Sequence, residues 1–347
     1  MMGSDLHFRN KVAVGILGAT GTVGQKFVEL LADHPWFEIT ALAASDRSKG
    51  KSYQQAVQWM MPTPLPESIG NMEVSPCEAN LPCDLVFSGL DSSVAGEIET
   101  AFAAAGYFVI SNCRNHRLDP DVPLIIPEIN EADLEILKEQ KFGKGKIVTV
   151  PNCSVVGLCL ALKPLLKPFG LQAVHVVTLQ AISGAGLPGV PSLQIVDNVI
   201  PFIADEEKKL QEEPKKILAL PDLKISAQCN RVPVTDGHLE CISVKLKNKP
   251  SPAELINAWQ NFKSFPQEWL LPSAPIQPVH YFEEENYPQP KLHRSLDKSM
   301  RVSIGRLREC ELLDYKFVLL SHNTIRGAAG GAILTAELCL KSGHIFW

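Results

Sequence analysis

Residues 12–24 read VAVGILGATGTVG, and they decide the first half of the fold. Val12 to Leu17 is a continuous apolar run, the pattern of a strand buried on both faces of a parallel sheet. A Gly-rich turn follows, and Val23, Phe27, Leu30 and Leu31 then recur at helical spacing until His34-Pro35 stops the helix. Glycines at such a bend permit a tight turn and close approach of the backbone to a pyrophosphate, whose charge the helix N-terminus favours. The spacing is G-x-x-G-x-x-G rather than G-x-G-x-x-G, and glycines also serve plain strand–helix packing. The strand–turn–helix context selects the dinucleotide reading. Gly18, Thr20, Gly21, Thr22, Val23 and Gly24 are the candidate contacts.

Further along the chain, apolar runs at Ile39–Ala44, Leu85–Phe87, Tyr107–Ile110 and Ile147–Val150 alternate with helical stretches such as Val94–Ala105. That alternation predicts an α/β domain with a Rossmann-type, doubly wound parallel sheet. The run then enters PNCSVVGLCLALKPL, a second strand–turn–helix with Cys153 at its bend. Val174–Ala181, Ile242–Leu246, Val302–Leu307 and Phe317–Ser321 alternate more, as strands of a mixed sheet in a second, α+β domain would. The last helix, from about Thr324 to Cys339, carries apolar positions on one face and is expected to pack back on the first domain. The expected division is 1–150, completed by 323–347, and 151–322. Pro266–Pro290 is long for a loop and is expected to be an excursion at a subunit contact.

The chain has 347 residues, beyond the roughly 250–300 at which one core stops growing, so two domains fit its length. At 45% hydrophobic and 20% charged it is neither disordered nor fibrous. Lys and Arg number 33 against 38 Asp and Glu, giving a net charge of −5 and no basic footprint for nucleic acid. The expected partner is a small molecule. Nine cysteines, an odd number without a C-x-x-C pair, predict reduced thiols in the cytoplasm and no metal site. The start, MMGSDLHFRNK, lacks the apolar stretch of a signal peptide. Ile147–Leu162 is too short for a membrane span and contains Pro151 and Asn152.

The second strand ends in Ser45-Asp46-Arg47-Ser48. Arg47 with Ser45 and Ser48 suits a ribose 2′-phosphate and favours NADP, while Asp46 keeps NAD open. Cys153 follows Asn152 and opens a helix, where unpaired N–H groups and the helix dipole stabilise a thiolate. Those N–H groups, with the Asn152 amide, are candidates for an oxyanion site. Cys159 and Cys339 read as small buried hydrophobes. A nucleophilic Cys beside a dinucleotide implies addition to an aldehyde, hydride loss and a thioester. That chemistry calls for an acid/base group. His238 in RVPVTDGH is the candidate, and Arg231, seven residues earlier, suits a carboxylate clamp.

GATGTVGQ, PNCSVVGL, LQAISGAG, RVPVTDGHLE and HNTIRGAAGG follow one another as in aspartate-β-semialdehyde dehydrogenases. The resemblance spans Lys11 to Leu340, and SNCRNHR followed by DPDVPLIIPEIN is similar to the archaeal and fungal branch. It implies that Cys153 is the nucleophile, His238 the general acid/base and Gln180 a residue orienting the substrate. Arg231 would bind the α-carboxylate. Asn112, Arg117 and Arg114 would form the phosphate site. In EEPKKIL, Glu213 would meet the substrate amine and Lys216 the phosphate. The Gly18–Gly24 turn, Ser45, Arg47 and Ser48 would bind NADP, with Ser183, Gly184 and Asn323 at the nicotinamide end. The family is dimeric or tetrameric, which makes 151–322 a catalytic and dimerisation domain with Ser183–Val199 as a contact. The implied reaction links aspartate 4-semialdehyde, inorganic phosphate and NADP to 4-phosphoaspartate, on the route to lysine, diaminopimelate, threonine and methionine. Cys113 and Cys241 depart from the family pattern. The related reductases of N-acetylglutamyl phosphate and malonyl-CoA share the chemistry, and a non-catalytic NADP-binding paralogue is the reading from another class.

Overall fold

The computed structural model describes residues 11–345. The reading of residues 1–10 as lacking a leader, and the outermost ends of the first domain, lie outside the described residues. Strands β1 (Val12–Leu17), β2 (Phe37–Ala44), β3 (Val74–Pro76), β4 (Leu85–Ser88), β5 (Phe108–Ser111) and β6 (Lys146–Thr149) form one sheet in the order β3-β2-β1-β4-β5-β6. Every pairing in it is parallel. Helices α1 (Thr22–Leu31) and α2 (Ser92–Ala105) belong to its crossovers. Phe27 of α1 packs on Phe87 of β4 with ring centroids 4.9 Å apart. α1 starts so close to the Gly18 turn that a Cβ on Gly24 would lie 2.1 Å from the Gly18 carbonyl oxygen. The motif glycine is a steric requirement there.

Helix α3 (Cys153–Phe169) leads from β6 into the second sheet. That sheet comprises β7 (Leu171–Gln180), β8 (Lys224–Arg231), β9 (His238–Leu246), β10 (Val279–Phe282), β11 (Val302–Glu309) and β12 (Tyr315–Ser321), in the order β10-β11-β12-β9-β7-β8. It is mixed: β7 pairs parallel with β8 and antiparallel with β9. Helices α4 (Glu206–Ile217) and α5 (Pro252–Gln260) join α3 over one face, where Leu158, Leu162, Trp259 and Phe317 share a core. Trp259 Nε1 donates to the Ala161 carbonyl at 2.8 Å, satisfying the indole inside that core.

The Pro266–Pro290 segment is not a bare loop. It supplies β10, which pairs with β11 at the sheet edge. The C-terminal helix also differs from expectation. It begins with a π-helical turn, Ile325–Ala329, and becomes regular only in α6 (Gly330–Lys341). Rather than one apolar face, α6 has Ala332 through Leu340 all buried, and Ile333, Leu334 and Leu338 join the first sheet's core. Each such side chain stabilises by roughly 1.5–3 kcal/mol, so the first core depends on the end of the chain.

Candidate active site

Register, not nearness in sequence, assembles the site. Gln180 and Arg231 stand opposite each other at the ends of parallel β7 and β8, while His238 opens β9 opposite Ser321. Cys153 enters from the first turn of α3. Its Sγ lies 3.1 Å from His238 Nε2, and His238 Nδ1 accepts the Ala181 N–H at 3.1 Å. Burial, with the Arg231 and His322 charges, pushes the His238 pKa down to about 3. Burial also pushes the Cys153 thiol up to about 12, reinforced by the Glu206 charge and opposed by Arg117, Arg231 and Lys209.

Arg231 is buried, and its Nη1 donates to the Ala181 carbonyl at 2.7 Å. A Cβ on Gly184 would sit 2.8 Å from Arg231 Nη1 and 3.2 Å from His238 Cε1, so only glycine keeps the space between clamp and imidazole open. Asn323 Nδ2 donates to Ser183 Oγ at 2.8 Å, and Asn323 Oδ1 accepts the Gly237 N–H at 2.9 Å. Ser183 and Asn323 thus meet, as expected of one end of a ligand site. Both polar side-chain atoms of Asn112 are buried without a partner. Arg117 donates to the Asn112 carbonyl at 2.7 Å. Cys113 is buried, its Sγ donating to the Leu90 carbonyl at 3.2 Å, and Cys241 is exposed.

Three other expected roles do not survive the geometry. The Asn152 side chain caps α3, its Oδ1 accepting the Ser154 N–H at 3.0 Å and its Nδ2 donating to both Glu206 oxygens at 2.9 and 3.0 Å. That engages the amide expected at an oxyanion and leaves the Cys153 N–H, which has no intrahelical acceptor at the first helical position. Glu213 accepts Arg117 Nη1 at 3.0 Å and the Asn152 N–H at 2.7 Å, so it braces the turn instead of facing an amine. Lys216 Nζ donates to the carbonyls of Arg117, Asp119 and Val122 at 2.9, 2.7 and 2.7 Å. An ammonium has three donors, and none remains for phosphate.

Glu206 and Lys209 stand where those two were expected. They are 2.7 Å apart, and Glu206 also accepts Gln180 Nε2 at 3.2 Å. Both act on Cys153 by charge. The sequence signal was present: Glu206-x-x-Lys209 has the spacing of Glu213-x-x-Lys216, in the first turn of the same helix. Arg114 lies at the rim, about half-exposed and paired with Asp205.

Of the dinucleotide candidates, Gly18, Thr20, Gly21 and Ser45 line a cleft of about 580 Å³, with Asp46, Gly89 and Leu90 also on its walls. α1 has no side-chain cap, and Thr22 Oγ1 at its start is buried without a partner. Free N–H groups and an orphaned hydroxyl fit a pyrophosphate there. Arg47 is exposed on the turn that carries Ser45 and Ser48. Among the described residues no cluster suits a metal ion, and no helix is long and apolar enough to cross a membrane.

The semialdehyde dehydrogenase NAD binding domain family matches residues 13–137, and the semialdehyde dehydrogenase dimerisation domain family matches residues 162–326. Aspartate-semialdehyde dehydrogenase of Schizosaccharomyces pombe is 46% identical over 350 residues, covering 95% of this chain and 98% of that one. The chain belongs to the aspartate-semialdehyde dehydrogenase family. The family member from Archaeoglobus fulgidus is 45% identical over 343 residues, with the same coverage of 95% and 98%. The crystal structure of aspartate semialdehyde dehydrogenase with NADP from Candida albicans aligns with a TM-score of 0.89 at 43% identity, covering 97% of this chain and all of that one. The relatives fit this reading rather than the malonyl-CoA reductase alternative.

Proposed function

We propose that the chain catalyses the NADP-dependent, phosphate-dependent interconversion of L-aspartate 4-semialdehyde and 4-phospho-L-aspartate through a thioester on Cys153. The observation that carries this reading is the Cys153 Sγ–His238 Nε2 contact of 3.1 Å at a helix N-terminus, among Arg231, Arg117 and Lys209. Arg231 clamps the α-carboxylate and Glu206 receives the α-amine. Cys153 Sγ adds to the aldehyde carbon, and the oxygen that gains charge is met by the Cys153 N–H and by His238. NADP, when bound in the glycine-lined cleft, serves as the hydride acceptor. Arg117, Lys209 and Asn112 hold the phosphate that opens the thioester. Both acidic groups of the substrates thus meet cations in a protein whose net charge is −5.

We assign residues 1–150 with 323–347 to the cofactor domain and 151–322 to catalysis and dimerisation. The burial of α6 in the first core and the dimerisation-domain match support that division. A homodimer or homotetramer is proposed, with the exposed Leu193, Val196, Val199 and Phe202 as part of the contact. A cytoplasmic location accords with nine unpaired cysteines.

The test is NADPH formation from aspartate 4-semialdehyde with and without phosphate, for the parent and Cys153→Ser. Phosphate-dependent turnover that falls more than about a thousandfold in Cys153→Ser, with NADP binding kept, is the expected result. Near-normal turnover in the variant, or turnover only with malonate semialdehyde and CoA, would sink the assignment.

A further inference from the structure

A glycine holds Cys153 from behind. A Cβ on Gly327 would stand 2.8 Å from both Cα and Cβ of Cys153 and 2.9 Å from its carbonyl oxygen, so the two backbones touch. Gly327 belongs to the π-helical turn Ile325–Ala329, which breaks at Ala328, where the backbone leaves helical angles with φ −150° and ψ −105°. Such a turn lacks the regular ladder of an α-helix, so its place depends on what its side chains grip.

The turn grips Glu128. Arg326 Nη2 donates to Glu128 Oε2 at 2.5 Å, and both side chains are fully buried. Glu128 lies in a segment tied to β6. Ile125 donates its N–H to the Thr149 carbonyl and Thr149 its N–H to the Pro123 carbonyl, each at 2.9 Å. Asn130 bonds the Leu124 carbonyl at 2.9 Å and the Ile126 N–H at 3.0 Å. β6 itself ends at Thr149, four residues before Cys153. The ion pair therefore closes a ring of contacts that runs from Cys153 through Gly327, Arg326, Glu128 and β6 back to Cys153. Nε and Nη1 of Arg326 and Oε1 of Glu128 are buried without a protein partner. Desolvating two ions while leaving three polar atoms unmatched makes the pair a poor source of stability, which points to a role in position.

We propose that Arg326 and Glu128 are positioning residues that set Cys153 against His238: the pair presses Gly327 onto the nucleophile turn and so keeps Sγ 3.1 Å from Nε2. This rests on Cys153 being the nucleophile of the reaction proposed above. The charges that act most on Cys153 are Glu206, Arg117, Arg231 and Lys209, so Arg326 reaches it by packing and not by its field. Misplacing a reacting atom by about 1 Å costs on the order of a hundredfold in rate, so a brace that never touches substrate can still govern turnover.

The Glu128→Leu/Arg326→Met double variant separates position from stability, because apolar residues of similar volume often replace a buried ion pair without loss of stability. Its urea midpoint should stay within about 0.5 M of the parent's. The NADP Kd and the semialdehyde KM should stay within about threefold, while kcat falls at least about tenfold. Alkylation of Cys153 by iodoacetamide without substrate, followed by peptide mass mapping, should slow at least about fivefold as Sγ leaves its imidazole partner. Gly327→Ala tests the contact itself: the added methyl meets Cys153 and should reproduce the same split between kcat and KM. A folded double variant with the parent's kcat and alkylation rate would overturn the proposal. So would Gly327→Ala with both unchanged, even if the double variant failed to fold. Absence of phosphate-dependent turnover in the parent would instead break the proposed function, and the alkylation comparison would still stand.

Discussion

Two acid–lysine pairs lie on one helix. Glu206 and Lys209 sit in the first turn of α4, and Glu213 and Lys216 follow seven residues later with the same spacing. Glu213 and Lys216 bond almost entirely to fixed protein groups: an Arg, a backbone N–H and three carbonyls. Glu206 gathers the side-chain amides of Asn152 and Gln180 beside Cys153, and the Lys209 side chain keeps 21% of its surface exposed. Identical spacing thus yields a brace at one end and a candidate substrate contact at the other. The difference is which partners remain unfilled, and that is a tertiary fact.

The largest effect should come from Glu206→Gln, which removes the charge and keeps the shape. Loss of a buried charged partner is worth roughly 2–5 kcal/mol, so kcat/KM for the semialdehyde should fall by about 30- to 4,000-fold. Steady-state kinetics would check it, and a loss below threefold would reject the amine-binding role. Lys216→Met tests the other end. It strands three carbonyls and should lower stability by about 3 kcal/mol in a denaturant titration, with the phosphate KM unchanged. A large rise in that KM with intact stability would reverse the comparison.

How the two pairs came to be confused shows what the sequence carries and where it stops. The first sheet was legible because strands buried on both faces are unbroken apolar runs: VAVGIL is β1, and Leu85–Phe87 lies within β4. β8, KISAQCNR, was not legible, because an edge strand with every second or third residue exposed carries Lys, Gln and Asn. β10 hid in a Pro-rich stretch as four residues, VHYF. α6 looked amphipathic from its residues, yet it is enclosed on all sides because the first core wraps it. Cys153, His238 and Arg231 were legible because each sits in a local motif with its own chemistry. Asn152 was misread for the same reason, since a helix-capping Asn and an oxyanion Asn occupy the same position in sequence.

Lys209→Met sharpens the comparison at the substrate end. Its ion pair with Glu206 is mostly buried, the side chains being 21% and 8% exposed, so stability should also fall, by roughly 1–3 kcal/mol. The phosphate KM should rise by about 10- to 50-fold, the worth of one charge-assisted hydrogen bond. Unchanged KM for phosphate, with a raised KM for the semialdehyde, would show that Lys209 serves Glu206 alone.

Arg114→Ala should do least, and the reason lies in water rather than in distance from Cys153. Its guanidinium pairs with Asp205, the residue just before α4, but the side chains are 52% and 57% exposed. At that exposure solvent screens the attraction and side-chain entropy opposes it, leaving roughly 0–1 kcal/mol. Arg114 shares the SNCRNHR block with Arg117, yet Arg117 is buried against Glu213 while Arg114 is not. Two arginines from one motif therefore repeat the contrast drawn by the two acid–lysine pairs. Stability and the phosphate KM of Arg114→Ala should both stay within about threefold of the parent's equilibrium and kinetic constants. A tenfold rise in the phosphate KM that vanished in high salt would place Arg114 among the groups that draw the anion in, and the rim would then belong to the site.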